Sequence, residues 1–302
     1  MLSVPTFPRL TEYCQPWLME PFAFVSMWEL MQRVDWAAHM AAPPAPLESN
    51  IGRVAAGGGR TVALVPVLGT LMKQRSSMGG TSTIQLRRDI RQAAADPEVS
   101  AILLGIESPG GVIAGTSDLA EEVRQARRSK PVWAHIDDLG ASAAYWVASA
   151  AEKIFANVPA AHVGSIGAIM TVYDASGAAE REGVKAMVFA TGPLKGAGTP
   201  GAPVTEEQAR YFQGIVNGAQ EEFDAAVRRG RKFSAEQLAA VKTGGVWKAT
   251  EAQRLGLIDG VQPLGKTIQQ LAAAAGQYDR RGPSATVPGG IPMLRDRSEG
   301  GT

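Results

Sequence analysis

From Thr61 to Ala156, short apolar runs alternate with helical stretches, and this constrains the fold more than any other property of the chain. TVALVPVLGTL, VSAILLGIES, PVWAHI and KIFANV read as strands, each too apolar to leave a face in water. Between them STIQLRRDIRQAAADP, TSDLAEEVRQARRSK and AAYWVASAAEKI read as helices. Ser82 or Thr83 could cap the first helix, and Asp96-Pro97 closes it. Strands separated by helices must be parallel or nearly so, because only a long crossover returns the chain to the same edge. Further on, ASGAAEREG reads as a helix, KAMVFA as a strand, Glu206 to about Gly230 as a long helix, and SAEQLAAVKTGGVWKATEAQRLGLIDGV as a closing helix–turn region.

The flanks read differently. Phe22 to Met40 is an amphipathic helix of the kind that packs on its own domain or on a neighbouring subunit. Glu20, Glu29, Arg33, Asp35 and Pro21 interrupt this stretch too often for a membrane span, and it lacks the basic start of a signal peptide. Residues 42–60, rich in Ala, Pro and Gly, read as a linker. The polar loop LMKQRSSMGGTST reads as mobile, and the apolar-poor tail from about Gly276 as disordered. These signals divide the chain into an arm (1–60), a main domain (61–275) and a tail (276–302). Net charge is +1, which gives no reason to expect a nucleic-acid partner. The single cysteine, Cys14, excludes a disulfide framework and fits a reducing cytoplasm. No cluster has metal-ligand spacing, and Gly57-Gly58-Gly59 lacks the lysine of a phosphate loop, so no cofactor is expected.

Four elements could carry chemistry. Ser142 lies in the small-residue run Gly140-Ala141-Ser142-Ala143-Ala144, between a strand and a helix. There it is either an N-cap or a nucleophile beside free backbone N–H groups. Glu107-Ser108-Pro109-Gly110-Gly111 ends a buried strand and reads either as a tight turn or as a source of N–H donors. Gly164-Ser165-Ile166-Gly167 is another small polar turn, and Lys195 stands alone in a Gly/Pro-rich loop. His135, with Asp137 and Asp138, sits at a strand end and reads as shaping that loop.

Together these elements resemble the signal peptide peptidase A family of serine peptidases over about Thr61 to Val261. The resemblance rests on Ser108-Pro109-Gly110-Gly111, on Ala141-Ser142-Ala143-Ala144-Tyr145, on Gly164-Ser165-Ile166-Gly167, and on Lys195 in a loop leading to Pro203-Val204-Thr205-Glu206-Glu207. Ala143 and Ala144 stand where the family often has glycines. The implied fold is α/β, a ClpP/crotonase-like superhelix of ββα units with a mostly parallel sheet. The implied activity is that of a serine endopeptidase with a Ser–Lys dyad. In that scheme Ser142 is the nucleophile, Lys195 the base and Ser165 the residue that orients the lysine. Gly111 and Ala143 N–H groups form the oxyanion hole, and Gly110 belongs to the substrate-binding edge. His162 stays open as a rival base, since ClpP-type proteases also place a histidine after the serine.

The N-terminal PWLMEPFAFVSMWELM is similar to phage head-maturation proteases of the lambda protein C type. That implies a cytoplasmic protein working within a procapsid, with portal, scaffold or capsid protein as partners and a peptide or protein as substrate. The family also implies a homo-oligomer, a ring or dome of about four to eight subunits. A bacterial peptidase digesting signal-peptide remnants or oligopeptides, and a non-catalytic assembly protein on the same fold, are the alternatives. The substrate is expected to add a strand beside Gly111.

Overall fold

A computed structural model describes residues 16–33, 49–74 and 80–281. It begins with β1 (Trp17–Met19) and α1 (Pro21–Arg33). The sequence extends that helix to Met40, but residues 34–48 lie outside the described residues, as do 75–79 of the polar loop and 282–302 of the tail. β2 (Gly52–Ala56) and β3 (Arg60–Leu68) form an antiparallel hairpin turned at Gly57–Gly59. Residues 52–56 of the sequence-read linker are therefore an edge strand.

There follow β4 (Leu71–Met72), β5 (Thr81–Ser82), α2 (Thr83–Ala95), β6 (Ala101–Ser108), β7 (Gly110–Val112) and α3 (Thr116–Ala126). Next come β8 (Val132–Ala141), α4 (Ala143–Ser149), β9 (Lys153–Ala156), β10 (His162–Gly164) and α5 (Ser176–Arg181). The chain closes with α6 (Glu206–Arg231), α7 (Ala235–Val241), β11 (Val246–Lys248), α8 (Ala249–Arg254), β12 (Gly260–Val261) and α9 (Leu264–Arg281). Ser82 caps α2 by accepting from the Gln85 N–H.

The large sheet runs β11-β10-β8-β6-β3-β2, with β9 on the first half of β8 and β12 on β9. β3, β6, β8, β9, β10 and β12 pair in parallel, while β2 and β11 pair antiparallel at the two ends. A small sheet, β1-β7-β4-β5, takes up the second strand of each unit. The chain leaves the large sheet at β3 or β6, passes through the small one at β4–β5 or β7, and returns by α2 or α3. This is the expected spiral of ββα units, α/β with mostly parallel pairing.

Both faces of the large sheet are covered, as a parallel sheet requires. The period of two along β6 sends Ile102, Leu104 and Ile106 into the main core with Leu86, Ile90, Leu119, Val123 and Trp146. It sends Leu103 the other way, onto Trp133, Phe155 and Leu271, Ala272 and Ala275 of α9. The sequence reading ends the ordered domain near Gly276, whereas α9 continues to Arg281 and the Tyr278 hydroxyl donates to Arg127 O at 2.5 Å. The spacing of Ile268, Leu271, Ala272 and Ala275 is the signal of this helix.

Two other expectations are corrected. KAMVFA forms no strand: no described segment pairs with it, and Met187 and Phe189 stand 70% and 90% exposed. His135 does not shape a loop, because β8 continues past it to Ala141. Its ring is buried with Nδ1 3.1 Å from the Thr267 hydroxyl of α9. Burial holds its pKa below the ordinary value, with Asn157 and Asp137 acting in the opposite direction. The folded protein therefore binds that proton less readily than the unfolded chain, so its contribution to stability is full above about pH 6.5 and is lost as the pH falls below it. Melting temperature followed from pH 8 to 5 is expected to show this decline, and His135→Gln is expected to flatten it.

Candidate active site

Three strand ends meet around Ser142. β8 delivers Gly140 and Ala141, β10 lies parallel beside it with Gly164 opposite Ala141, and β6 places Ser108 opposite Gly140. The Ser142 N–H donates to Gly164 O at 2.7 Å, and Ser142 O accepts from the Trp146 N–H at 2.9 Å. The serine stands at the N-cap position of the seven-residue α4, yet makes no side-chain cap bond. Its backbone has φ 53° and ψ −118°, where an N-cap residue is normally extended. Such a conformation costs about 1–3 kcal/mol and persists only where the surroundings enforce it. Ser142 is fully buried and its Oγ has no hydrogen-bond partner among the described residues. The N-cap reading is thereby excluded: the hydroxyl is positioned and left unused by the fold.

The Gly110-Gly111 turn is built for close approach. Gly110 has φ 103°, and a Cβ there would lie 2.9 Å from Ser142 Cβ and collide with Leu18 O. A Cβ on Gly111 would fall on the Leu71 backbone, 2.6 Å from its nitrogen. Ser108 fixes this turn, donating to Gly69 O at 2.6 Å and accepting from the Gly110 N–H at 3.2 Å. Glu107 accepts from the Asp138 and Leu139 N–H groups, tying the turn to β8. Ser165 also has positive φ, 49°; its N–H donates to Gly245 O and its hydroxyl to Gly244 O.

Ser142, Ala143, Gly110, Gly111 and Ser165 are thus gathered at one place. The two candidate bases are not. Lys195 lies in an exposed turn, with no side-chain hydrogen bond or ion pair among the described residues, and His162 is exposed on β10 opposite Leu139. The residues that sequence reading missed are those of β1, which pairs with β7 beside the glycines. PWLME carries the signal only as an apolar triplet ahead of a proline, too short to distinguish strand from helix.

The strained serine thus stands beside a double-glycine turn on a spiral of ββα units. Residues 124–277, half of the chain, match peptidase family S49, and the chain belongs to that family. It is 32% identical to capsid assembly protease C of Escherichia phage lambda, over 66% of this chain and 46% of that one. It is 28% identical to protease 4 of Salmonella typhi, over 72% of this chain and 35% of that one. The head–tail preconnector protein of Enterobacteria phage P21 is also 28% identical, over 73% and 44%. The chain spans about half or less of these relatives' length. Among solved structures, an enoyl-CoA hydratase/isomerase family protein from Silicibacter pomeroyi covers 78% of this chain and is covered over 84% of its own, at 16% identity and a TM-score of 0.43. Among the described residues, no helix is long and apolar enough to cross a membrane.

Proposed function

We propose that this chain is a serine endopeptidase in which Ser142 Oγ attacks the scissile carbonyl. The observation that carries this reading is the buried Oγ, without a hydrogen-bond partner among the described residues, on a backbone held at positive φ beside the Gly110–Gly111 turn. Ala143 N–H and Gly111 N–H would receive the oxyanion; losing one such donor typically costs about 10²–10³-fold in rate. The unassisted hydroxyl is a weak nucleophile and needs a base. Lys195 takes that role, with Ser165 orienting it. A lysine is a base only when neutral, and burial is what brings lysine down from about 10.4. Closure of the Leu194–Lys195 turn by substrate or by a neighbouring subunit would supply that burial. The uncovered Met187 and Phe189 of the same loop favour the subunit, and with it a homo-oligomer.

The biological role that fits best is maturation of a phage or prophage head, on a scaffold, portal-associated or capsid substrate, within the host cytoplasm or procapsid. The likeness to the lambda capsid assembly protease supports it. No cofactor enters this mechanism. The test is cleavage of casein and peptides by the unaltered chain, Lys195→Ala and His162→Ala. Loss of at least about 10³-fold with Lys195→Ala and activity within about threefold with His162→Ala is the expected result. The reverse pattern would move the base to His162.

A further inference from the structure

The strand position beside Ser142 is already filled by residues 17–19 of the chain itself. β1 pairs antiparallel with β7, with Trp17, Leu18 and Met19 opposite Val112, Gly111 and Gly110. The Glu20 N–H donates to Pro109 O at 2.7 Å. Antiparallel pairs alternate between bonded and non-bonded, so Leu18 and Gly111 are the next pair in hydrogen-bonding register. The Gly111 N–H of the proposed oxyanion hole therefore faces the Leu18 backbone. Leu18 O also lies against Gly110, within collision distance of where a Cβ on that glycine would sit, and Ser142 Cβ is 2.9 Å from the same point. On its other edge β1 meets Ile169: the Trp17 N–H donates to Ile169 O at 2.7 Å, and the Ile169 N–H donates to Trp17 O at 2.9 Å. The slot is one strand wide, walled by the turn that carries Gly111 and by the segment that follows Ser165.

From this we infer that residues 17–20 are an intramolecular occupant of the substrate slot, a strap that must leave before a peptide can reach Ser142. The inference rests on the serine peptidase reading for the meaning of the slot, not for its occupancy. Trp17, Leu18, Met19 and Glu20 are all buried, and so is Ser142. The strap is held by main-chain bonds on both edges, the kind of contact that any extended peptide can replace. It ends where Glu20 accepts from the Ala23 N–H at 2.9 Å and Pro21 opens α1. An extended peptide carrying an aliphatic residue at the Leu18 position is accordingly the ligand class of the slot. A tethered occupant weakens every competitor by the fraction of time the slot is open.

The test uses the full chain, a fluorescein-labelled peptide of residues 15–21 and a fluorophosphonate that labels activated serines. Two variants loosen the strap and leave the walls of the slot unaltered: Leu18→Asp, and Glu20→Pro, which removes the N–H donated to Pro109 O while the added peptide keeps its own. Leu18 is fully buried, so Glu20→Pro, at the end of the strap, guards against simple unfolding. Peptide affinity is expected to rise by about tenfold or more in folded Glu20→Pro, with fluorophosphonate labelling of Ser142 rising in parallel. The same affinity for the peptide in the unaltered chain and the variants, or none in either, would overturn the strap even if Ser142 labels. A rise in peptide affinity with no labelling of any form would leave the strap standing and remove the nucleophile.

Discussion

Ser142→Ala is expected to lower peptide hydrolysis by about 10⁴–10⁶-fold and, in the same protein, to leave the melting temperature unchanged or raised. The two effects have one cause. The hydroxyl is buried and makes no hydrogen bond among the described residues, so the folded state bears its desolvation without return. Removing an unpaired buried hydroxyl relieves that cost, on the order of 1 kcal/mol, and alanine accepts the same backbone as serine at φ 53°. A structural serine behaves in the opposite way: losing its bond destabilises by about 1 kcal/mol and leaves turnover intact. Rate and melting temperature measured together therefore separate the two roles. A Ser142→Ala chain that melts several degrees lower and still cleaves casein would remove Ser142 as the nucleophile.

The same contrast shows which parts of the molecule were legible in the sequence. The strands of the large sheet announce themselves because Ile102, Leu103 and Leu104 are apolar on both faces, a pattern that only a sheet buried on both sides explains. The order Ser108–Gly111, Ala141–Tyr145, Gly164–Gly167 indicated which strand ends converge, and the register Gly164 opposite Ala141 and Ser108 opposite Gly140 brings them together. Length defeated the reading elsewhere. β1, β4 and β5 have two or three residues each, too few for a period to show. KAMVFA is a short apolar run like a strand, but such a run reports a surface to be covered and not the neighbour that covers it. The place of Lys195 was illegible for the same reason: a loop of Gly and Pro fixes no direction, and what buries such a loop lies outside its own sequence.

Phe223→Ala is expected to cost about 3–5 kcal/mol, a large share of the roughly 5–15 kcal/mol that holds a domain folded. α6 is a long helix, but among its residues only Phe223, Ala226 and Val227 are buried, all in its C-terminal half. The Phe223 ring is fully buried and stacks on Trp146 of α4, with centroids 5.1 Å apart and planes 10° from parallel. At the end of the same contact Gly230 leaves no room for a Cβ against the Ser149 backbone, so the two helices cannot shift to refill the hole. The melting temperature should fall by about 10 °C. The loss should also reach the site, because the Trp146 N–H donates to Ser142 O, and the turn of α4 that carries this bond also presents the Ala143 N–H. The folded Phe223→Ala protein is therefore expected to lose kcat more than KM, and Phe223→Leu, which restores most of the volume, to recover both stability and kcat. An unchanged kcat in a destabilised Phe223→Ala chain would show that the serine is held by β8 and β10 alone, and that α6 serves only to anchor the Lys195 loop.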